Sequence, residues 1–375
     1  MTFVKPWQYL LAGVVAVLVF GSAGLWYVQY VNRTHPAPWP MLQGDSGGRF
    51  ATRAVFPTEK PDALWSYSIE EPHWVAVAPV IGEGNVVYFG DRSRLVALDA
   101  SGKLQWSWNS SAPIGSLALG RHGDLYVLEP GLLVALDSQG RRTWSHELPS
   151  EGGSPLIVGQ GGVIYLLAED LHAISDAGET KWVQAGTNRG LLVETPNGEI
   201  LYADDRYVFA FTATGEKAWS RQMSDVVLSI AVGPDGRIYV RTRGSLAMLD
   251  QKGVIKGSLP AQGSPLTLSV DGEYVQAGLT RWSREIDPLW TAQLDGPAAV
   301  SYLDAEGKAL IFAMGEDQPF GQLALLDEQG QELWRLDDML ALTLPAIGSD
   351  GRICFGGLKK GIMRPELYCM GTRQD

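Results

Sequence analysis

LVALDASGKLQW, at residues 95–106, and LVALDSQGRRTW, at residues 133–144, decide the fold of this 375-residue chain. In both segments an alternating apolar run ends at an Asp, a tight turn contains a Gly, and a Trp follows four residues after that Gly. Apolar alternation bounded by Gly and Asp predicts two antiparallel strands joined by a hairpin. Related segments end at Trp182, Trp219, Trp290 and Trp334, and at Gly257 where the Trp is absent.

A second repeated feature is a turn Gly followed by an apolar, often aromatic strand, as in HGDLYVL at residues 122–128. Its eight glycines are Gly84, Gly123, Gly162, Gly198, Gly236, Gly272, Gly307 and Gly351. Successive members lie 35 to 44 residues apart, which is about the length of one four-stranded propeller blade. The two series together predict eight blades.

The two ends of the repeat array predict how the ring closes. After Gly351 the chain has two further strands, ICFGG and ELYCM, but no final Trp strand. The segment ALWSYSI around Trp65 precedes the first unit and supplies the missing strand. We therefore predict an all-β, eight-bladed β-propeller over residues 62–371, closed by N- and C-terminal strands, with a short tail at 372–375. Closure of this kind leaves no open blade at the ends of the array.

The N-terminus has the composition of a membrane segment, because residues 6–32 carry no charge. At about 1.5 Å per residue, a helix of this length crosses a hydrocarbon core of about 30 Å. We predict a cytoplasmic head and one transmembrane helix at 1–31, with the propeller on the periplasmic or extracellular side of the cell (inner) membrane. A cleavable signal peptide is the alternative. Residues 32–61, rich in Pro, Gly and Thr, are predicted to be a tether.

The ALDxxGxxxW repeats, the segment WPMLQGD at residues 39–45 and the number of blades resemble the pyrroloquinoline-quinone-like β-propeller repeat family. Within it the chain is most similar to the outer-membrane assembly factor B type of scaffold, from which it departs by having a membrane helix in place of a lipobox Cys. The resemblance implies an envelope propeller that binds partner proteins. The alternative that it raises is a quinone-dependent oxidoreductase or a carbohydrate- or ligand-sensing propeller.

Signals for catalysis are weak. Quinoprotein dehydrogenases carry an adjacent Cys pair and a calcium site of Glu, Asn and Asp, and this sequence has no matching cluster. The segment GDSGG at residues 44–48 matches a serine-protease nucleophile loop, but only His35 precedes Ser46 and no strand–turn–helix surrounds it. We expect no catalytic residue, no metal and no cofactor. The net charge of −12 argues against a nucleic-acid partner.

A Trp at a fixed place in each blade is predicted to be a packing residue that covers the seam between neighbouring sheets. These residues are Trp65, Trp106, Trp144, Trp182, Trp219, Trp290 and Trp334. Trp74 and Trp282 lie outside the series and are better candidates for contact with a partner, with burial as the alternative.

In several blades the connection between the two inner strands carries charged side chains, and the repeat places these connections on one face. Basic groups there predict a patch for an acidic segment of an envelope or membrane protein, docked on a monomeric propeller. A solvated loop rim is the alternative. The candidate partner-binding residues are Arg92, Arg94, Arg206, Arg241, Arg243, Lys359 and Lys360.

Cys354 and Cys369, the two cysteines of the chain, fall in neighbouring strands of the last blade. Opposed residues of antiparallel strands have Cβ atoms about 4.5–5.5 Å apart, within reach of a disulfide after local adjustment. An exported domain also lies in an oxidising space. We predict a disulfide, with two buried free thiols as the alternative.

Overall fold

The structure is built almost wholly of β-strands. The computed structural model describes residues 37–68, 77–91, 93–150, 156–187, 190–262, 265–294, 298–314, 321–336, 339–359 and 364–373. Within these ranges there are 33 strands and one 3-10 turn at Glu83–Asn85. No helix in the described part of the chain is long and apolar enough to cross a membrane. The helix predicted at 1–31 lies outside the described residues.

The first four blades follow the predicted repeat, each being an antiparallel meander of four strands. Blade 1 contains β2 (Val80–Ile81), β3 (Val87–Asp91), β4 (Arg94–Leu98) and β5 (Leu104–Asn109). Blade 2 contains β6 (Ser116–Leu119), β7 (Leu125–Glu129), β8 (Leu132–Leu136) and β9 (Arg142–Glu147). Blade 3 contains β10 (Ile157–Val158), β11 (Ile164–Ala168), β12 (Asp170–Ile174) and β13 (Thr180–Gln184). Blade 4 contains β14 (Leu191–Glu194), β15 (Ile200–Asp204), β16 (Tyr207–Phe211) and β17 (Lys217–Gln222).

The next three blades have the same order. Blade 5 contains β18 (Val227–Val232), β19 (Ile238–Thr242), β20 (Ser245–Leu249) and β21 (Ile255–Pro260). Blade 6 contains β22 (Leu266–Leu268), β23 (Tyr274–Ala277), β24 (Thr280–Ser283) and β25 (Pro288–Thr291). Blade 7 contains β26 (Ala298–Leu303), β27 (Ala309–Met314), β28 (Gly321–Leu326) and β29 (Glu332–Arg335). First strands of neighbouring blades contact one another at most of the seams, so they surround the axis of the ring.

Blade 8 closes the ring as predicted, with one strand from the N-terminal side and three from the C-terminal side. It contains β31 (Ala346–Ile347), β32 (Ile353–Lys359), β33 (Glu366–Gly371) and, as its outer strand, β1 (Asp62–Ser68). Trp65 of β1 lies opposite Cys369 of β33. A short extra strand, β30 (Met339–Ala341), pairs with both β28 and β32 and so joins blades 7 and 8.

The meander gives the ring two unlike faces. Turns after the first and third strands of each blade, such as 82–86 and 99–103, lie on one face, which we call the turn face. Connections after the second strand and between blades, such as 205–206 and 223–226, lie on the opposite face, which we call the loop face.

The repeated Trp residues seal the seams between blades. Each indole Nε1 donates a hydrogen bond of 2.8–3.1 Å to a backbone carbonyl across the next seam. In six seams the ring also lies over the turn Gly of the following blade. The ring of Trp65, for example, comes within 2.6 Å of where a Cβ on Gly102 would stand. Any side chain at that Gly would displace the indole, so the Trp and the Gly require each other.

Two seams depart from this rule, and each departure is compensated. Blade 5 has Gly257 in the Trp position, and Ile286 of blade 6 fills the space, with its Cδ1 3.2 Å from where a Cβ on Gly257 would stand. Ile286 occupies the turn position normally held by Gly, at a φ of 62°. Blade 8 has no third-to-fourth turn because its outer strand comes from the other end of the chain. Trp334 therefore bonds to the carbonyl of Pro57 at 2.8 Å.

The segment before β1 differs from the predicted tether. Residues 37–57, which we call the inner segment, pack against the propeller, and Trp39, Met41, Phe50 and Phe56 are all buried. Its backbone bonds to the ends of first strands, beginning with the Trp39–Ile81 pair at 3.1 and 2.8 Å. Further first-strand partners follow in ring order and are Leu119, Glu194, Val232, Leu268 and Leu303. The tether prediction for this stretch is therefore corrected, because the segment forms part of the core.

Candidate functional site

Aromatic packing fills the axis of the propeller near the turn face. Trp39 of the inner segment and Tyr302 of β26 have ring centroids 5.6 Å apart, and Phe50 meets Tyr302 edge-on at the same distance. Tyr302 is fully buried, and desolvation raises the pKa of its hydroxyl well above the ordinary value. The inner segment therefore occupies the end of the axis where a ligand could otherwise enter from the turn face.

The GDSGG segment lies in this inner segment and has a structural role. The hydroxyl of Ser46 donates a 2.8 Å hydrogen bond to the carboxylate of Glu194, at the end of β14. The backbone N–H of Gln160 also donates to Glu194, at 2.8 and 3.0 Å. Burial raises the pKa of the Glu194 carboxyl above its ordinary value. These contacts tie the inner segment to blades 3 and 4.

The loop face carries an ordered surface between blades 4 and 5. The connection from β17 to β18 lies against the turn of blade 4, where Met223 and Val227 donate backbone hydrogen bonds of 2.7 Å to the carbonyls of Arg206 and Asp205. Arg243 of blade 5 donates its backbone N–H to Val226 at 3.0 Å. We call residues 204–207, 223–228 and 243 the loop-face platform. Its backbone is fixed by both blades, so it is organised before any partner binds.

Two large apolar side chains of the platform face solvent. Tyr207 is 41% exposed and Leu228 is 38% exposed. Leu228 is the extra residue of a β-bulge, because its neighbours Val227 and Ser229 pair with Thr242 and Arg241 and it has no partner on β19. A bulge redirects a side chain, which explains why a Leu inside the apolar run of β18 reaches the surface.

Charges around these apolar side chains are mixed. Arg206 and Arg243 are exposed, and Arg206 lies 3.8 Å from Asp225. Asp204 and Asp205 lie in the same turn. The platform therefore has an apolar centre with a polar rim of both signs, which is the usual anatomy of a protein–protein interface. The predicted basic residues Arg206 and Arg243 therefore lie among acidic side chains here.

The other predicted basic residues are distributed differently. Arg241 is only 2% exposed, its Nε has no hydrogen-bond partner among the described residues, and burial lowers its pKa. The prediction that Arg241 offers an exposed cation is therefore corrected. Arg94 is half-buried and Lys359 is exposed, but they lie in blades 1 and 8, away from the platform. Arg92 and Lys360 lie outside the described residues.

Other sequence-predicted residues have clear positions. Cys354 and Cys369 are opposed in β32 and β33, with Cα atoms 4.1 Å apart, and form a disulfide. Trp282 is 4% exposed and packs in the core between blades 5 and 6, so it offers no surface for a partner. Trp74 lies outside the described residues.

Sequence reasoning missed the two apolar centres of the platform. An aromatic residue directly after the charged turn Asp204-Asp205-Arg206 was a usable signal for Tyr207. No sequence signal indicates that Leu228 is exposed, because VVLSIAV has the pattern of a buried strand and the bulge is visible only in the structure.

Comparison with known proteins agrees with the architecture. A family model described as outer membrane protein assembly factor BamB matches residues 91–213, from the end of β3 to the turn after β16. No curated protein matches the chain significantly.

Solved structures extend the likeness to the whole ring. The crystal structure of BamB from Moraxella catarrhalis has a TM-score of 0.64 at 17% identity, covering 84% of this chain and 98% of that one. The Dos1 propeller matches with a TM-score of 0.54 at 11% identity, covering 84% and 95%. A chain of the mitotic checkpoint complex matches with a TM-score of 0.53 at 12% identity, covering 85% and 94%. The chain is thus an eight-bladed propeller that resembles BamB in its repeat and its fold.

Proposed function

We propose that the protein is a membrane-anchored scaffold of the cell envelope, which binds a partner protein through the loop-face platform. One observation carries this proposal: Tyr207 and Leu228 are exposed on an ordered surface whose backbone is already fixed. Their neighbours Asp205 and Val227 are joined by a 2.7 Å hydrogen bond. Tyr is one of the residues enriched at the centres of binding energy in interfaces, and side chains on a backbone that is already fixed lose less conformational freedom on binding.

The membrane part of the proposal depends on residues 6–32, whose uncharged length is sufficient for a transmembrane helix. An anchor there, with the propeller exported, would place the scaffold beside other envelope proteins. The likeness to BamB, an outer membrane protein assembly factor by its description, supports an envelope role.

The packing at the axis favours a scaffold over a quinone- or ligand-binding propeller. A cofactor of that kind needs a concave, largely preformed cavity. At the turn-face end the corresponding space is filled by Trp39, Phe50 and Tyr302, all of which are buried.

Affinity capture from envelope membranes with the full-length chain tests the proposal. We compare Leu228→Ser with Val254→Ser, since both residues lie in blade 5 and are 38% and 41% exposed, but Val254 belongs to the turn face. The charge-reversal pair is Arg243→Glu and Lys252→Glu, again on opposite faces of blade 5. Alkaline extraction of the membranes tests the anchor.

We expect Leu228→Ser and Arg243→Glu to lose the captured partner at least tenfold, while Val254→Ser and Lys252→Glu retain it. Truncating a hot-spot residue near the centre of an interface costs about 2 kcal/mol or more, and about 1.4 kcal/mol already corresponds to a tenfold loss of affinity. Equal capture by all four variants would exclude the platform as the docking site, and release of the full-length chain at alkaline pH would exclude the anchor.

A further inference from the structure

The outer strands of the eight blades are exposed sheet edges, and most carry features that prevent another strand from pairing with them. Charged side chains and Pro are the common devices. Seven of the eight outer strands, all within the described residues, contain at least one of them. They are Asp62 in β1, Arg142 and Glu147 in β9, Lys181 in β13, Lys217 and Arg221 in β17, Lys256 and Pro260 in β21, Pro288 in β25, and Glu332 and Arg335 in β29.

The outer strand of blade 1 is the exception. β5 reads Leu-Gln-Trp-Ser-Trp-Asn and contains neither a charge nor Pro. Leu104 at its start is 40% exposed, and Trp106 and Trp108 are only half-buried. The edge of β1, whose one charge is Asp62 at its first residue, is partly occupied, because the guanidinium of Arg373 donates to the carbonyl of Ala63 at 3.4 Å. Among the outer strands that the structure describes, β5 is therefore the least protected, and the nearest charge is Lys103 directly before it.

A groove lies directly beside β5. Its volume is about 870 Å³, and it runs between the turns of blades 1 and 2. Gln105 and Trp106 of β5 form one wall. The lining also includes the apolar side chains of Tyr88 and Leu119 and the polar or charged side chains of Glu83, Asp99, Arg121, His122 and Gln139. The rings of Tyr88 and Trp106 are 5.8 Å apart. Strand addition at a sheet edge obtains affinity from backbone hydrogen bonds and specificity from pockets for side chains. Both elements are present here.

We propose that β5 accepts an extended, uncharged β-strand of a partner protein, paired along its free edge and placing an apolar side chain in the groove. Uncharged character follows from β5, which has no charged residue between Leu104 and Asn109, whereas the charged lining of the groove lies in the turns at the turn face. This contact is separate from the loop-face platform, so the partner-binding function does not depend on it.

Hydrogen exchange with a model strand tests the proposal on the full-length chain in mild detergent. The probe is a capped heptapeptide of alternating Thr and Val, N-methylated along one edge so that it cannot stack on itself. The control peptide is N-methylated along both edges and cannot pair. At nine-tenths occupancy, the edge amides of β5 should exchange about tenfold more slowly, and those of β9 should be unchanged.

Ser107→Pro in β5 should abolish this protection, and Ser145→Pro in β9 is the matched control, since each Ser is exposed and follows the seam Trp of its blade. If the Pro variant melts early, Ser107→Lys replaces it and adds the charge that other outer strands carry. Leu228→Ser should leave probe binding intact, which separates this contact from the platform.

Three results would overturn the proposal. The first is that the doubly methylated peptide slows hydrogen exchange in β5 as much as the probe does. The second is that the probe slows exchange equally in β5 and β9, or in neither strand. The third is protection of β5 that rises with protein concentration without the probe, since the occupant would then be a second copy of this chain.

Discussion

Replacing Trp39 with Ala tests whether the inner segment belongs to the core of the propeller. Trp39 is 1% exposed, packs against Tyr302, and pairs through its backbone with Ile81. Its ring also lies 2.9 Å from where a Cβ on Gly44 would stand. The side chain is thus enclosed by its own segment and by the first strands of the ring.

The expected cost follows from this enclosure. Truncating a buried Trp to Ala typically destabilises a protein by about 3–5 kcal/mol, because apolar contact is lost and a cavity remains. In a domain of about 300 residues, with an unfolding entropy of about 2.1 cal/mol/K per residue, such a loss lowers the melting temperature by roughly 5–8 °C. A residue in a solvated tether would change stability by no more than about 0.5 kcal/mol. The loss of unfolding free energy expected for Trp39→Ala therefore differs several-fold between a buried segment and a solvated tether.

Urea unfolding and thermal melting of the full-length chain measure the difference. Val55→Ala is the matched control, because Val55 lies in the same segment and is 42% exposed. Trp39→Ala should have a much lower unfolding free energy and melting temperature than Val55→Ala. If the two variants unfold at the same urea concentration and temperature, the inner segment does not pack on the ring as described. The argument that it fills the axis would then fail as well.

Three further predictions concern other contacts. Gly257→Trp alone should destabilise the protein by about 1–3 kcal/mol through overpacking against Ile286, and adding Ile286→Gly should recover much of that loss in a double-mutant cycle. Cys354→Ser with Cys369→Ser should cost roughly 3 kcal/mol, the chain-entropy value for a loop of 15 residues, and non-reduced mass spectrometry should find no free thiol in the parent protein. Because the folded-state pKa of Glu194 is raised above its ordinary value of 4.5, its contribution to stability is present below that pH and is lost as pH rises through the raised pKa. Glu194→Gln should flatten the decline in urea-unfolding free energy over that range, and an unchanged pH profile would show that another group is responsible.

The blades and their closure could be predicted because they are local and repeated. Each hairpin is specified within about a dozen residues by a turn Gly, an Asp and an alternating apolar run, as at 95–106. Because the pattern occurs in eight copies, an error in predicting the strands of one copy is corrected by the others. Trp65 could be placed in blade 8 because one outer strand was missing and one segment had no other position.

The inner segment could not be predicted in the same way. Its contacts join residues far apart in sequence, such as Phe56 and Asp304, whose hydrogen bond of 2.9 Å spans 248 residues. Its Pro and Gly content is typical of a linker, and Trp39, Met41 and Phe50 follow no strand or helix period. Arg241 was misplaced for a related reason: a charge near a predicted turn is assumed to be exposed, whereas β19 continues to Thr242 and buries it.

Departures from the repeat make the blades of this ring different from one another. Eight identical blades would present eight equal seams, edges and loops, and no partner could choose among them. The chain breaks the equivalence at the inner segment, which closes the axis from the turn face, and at Leu228, which a bulge exposes on the loop face. It breaks it again at β5, the outer strand without charge or Pro. Gly257 and Ile286 show that a departure needed only for packing is compensated across its seam. No such compensation accompanies the exposed Leu228 or the edge of β5 within the described residues, so these are the two positions at which we expect a partner to bind.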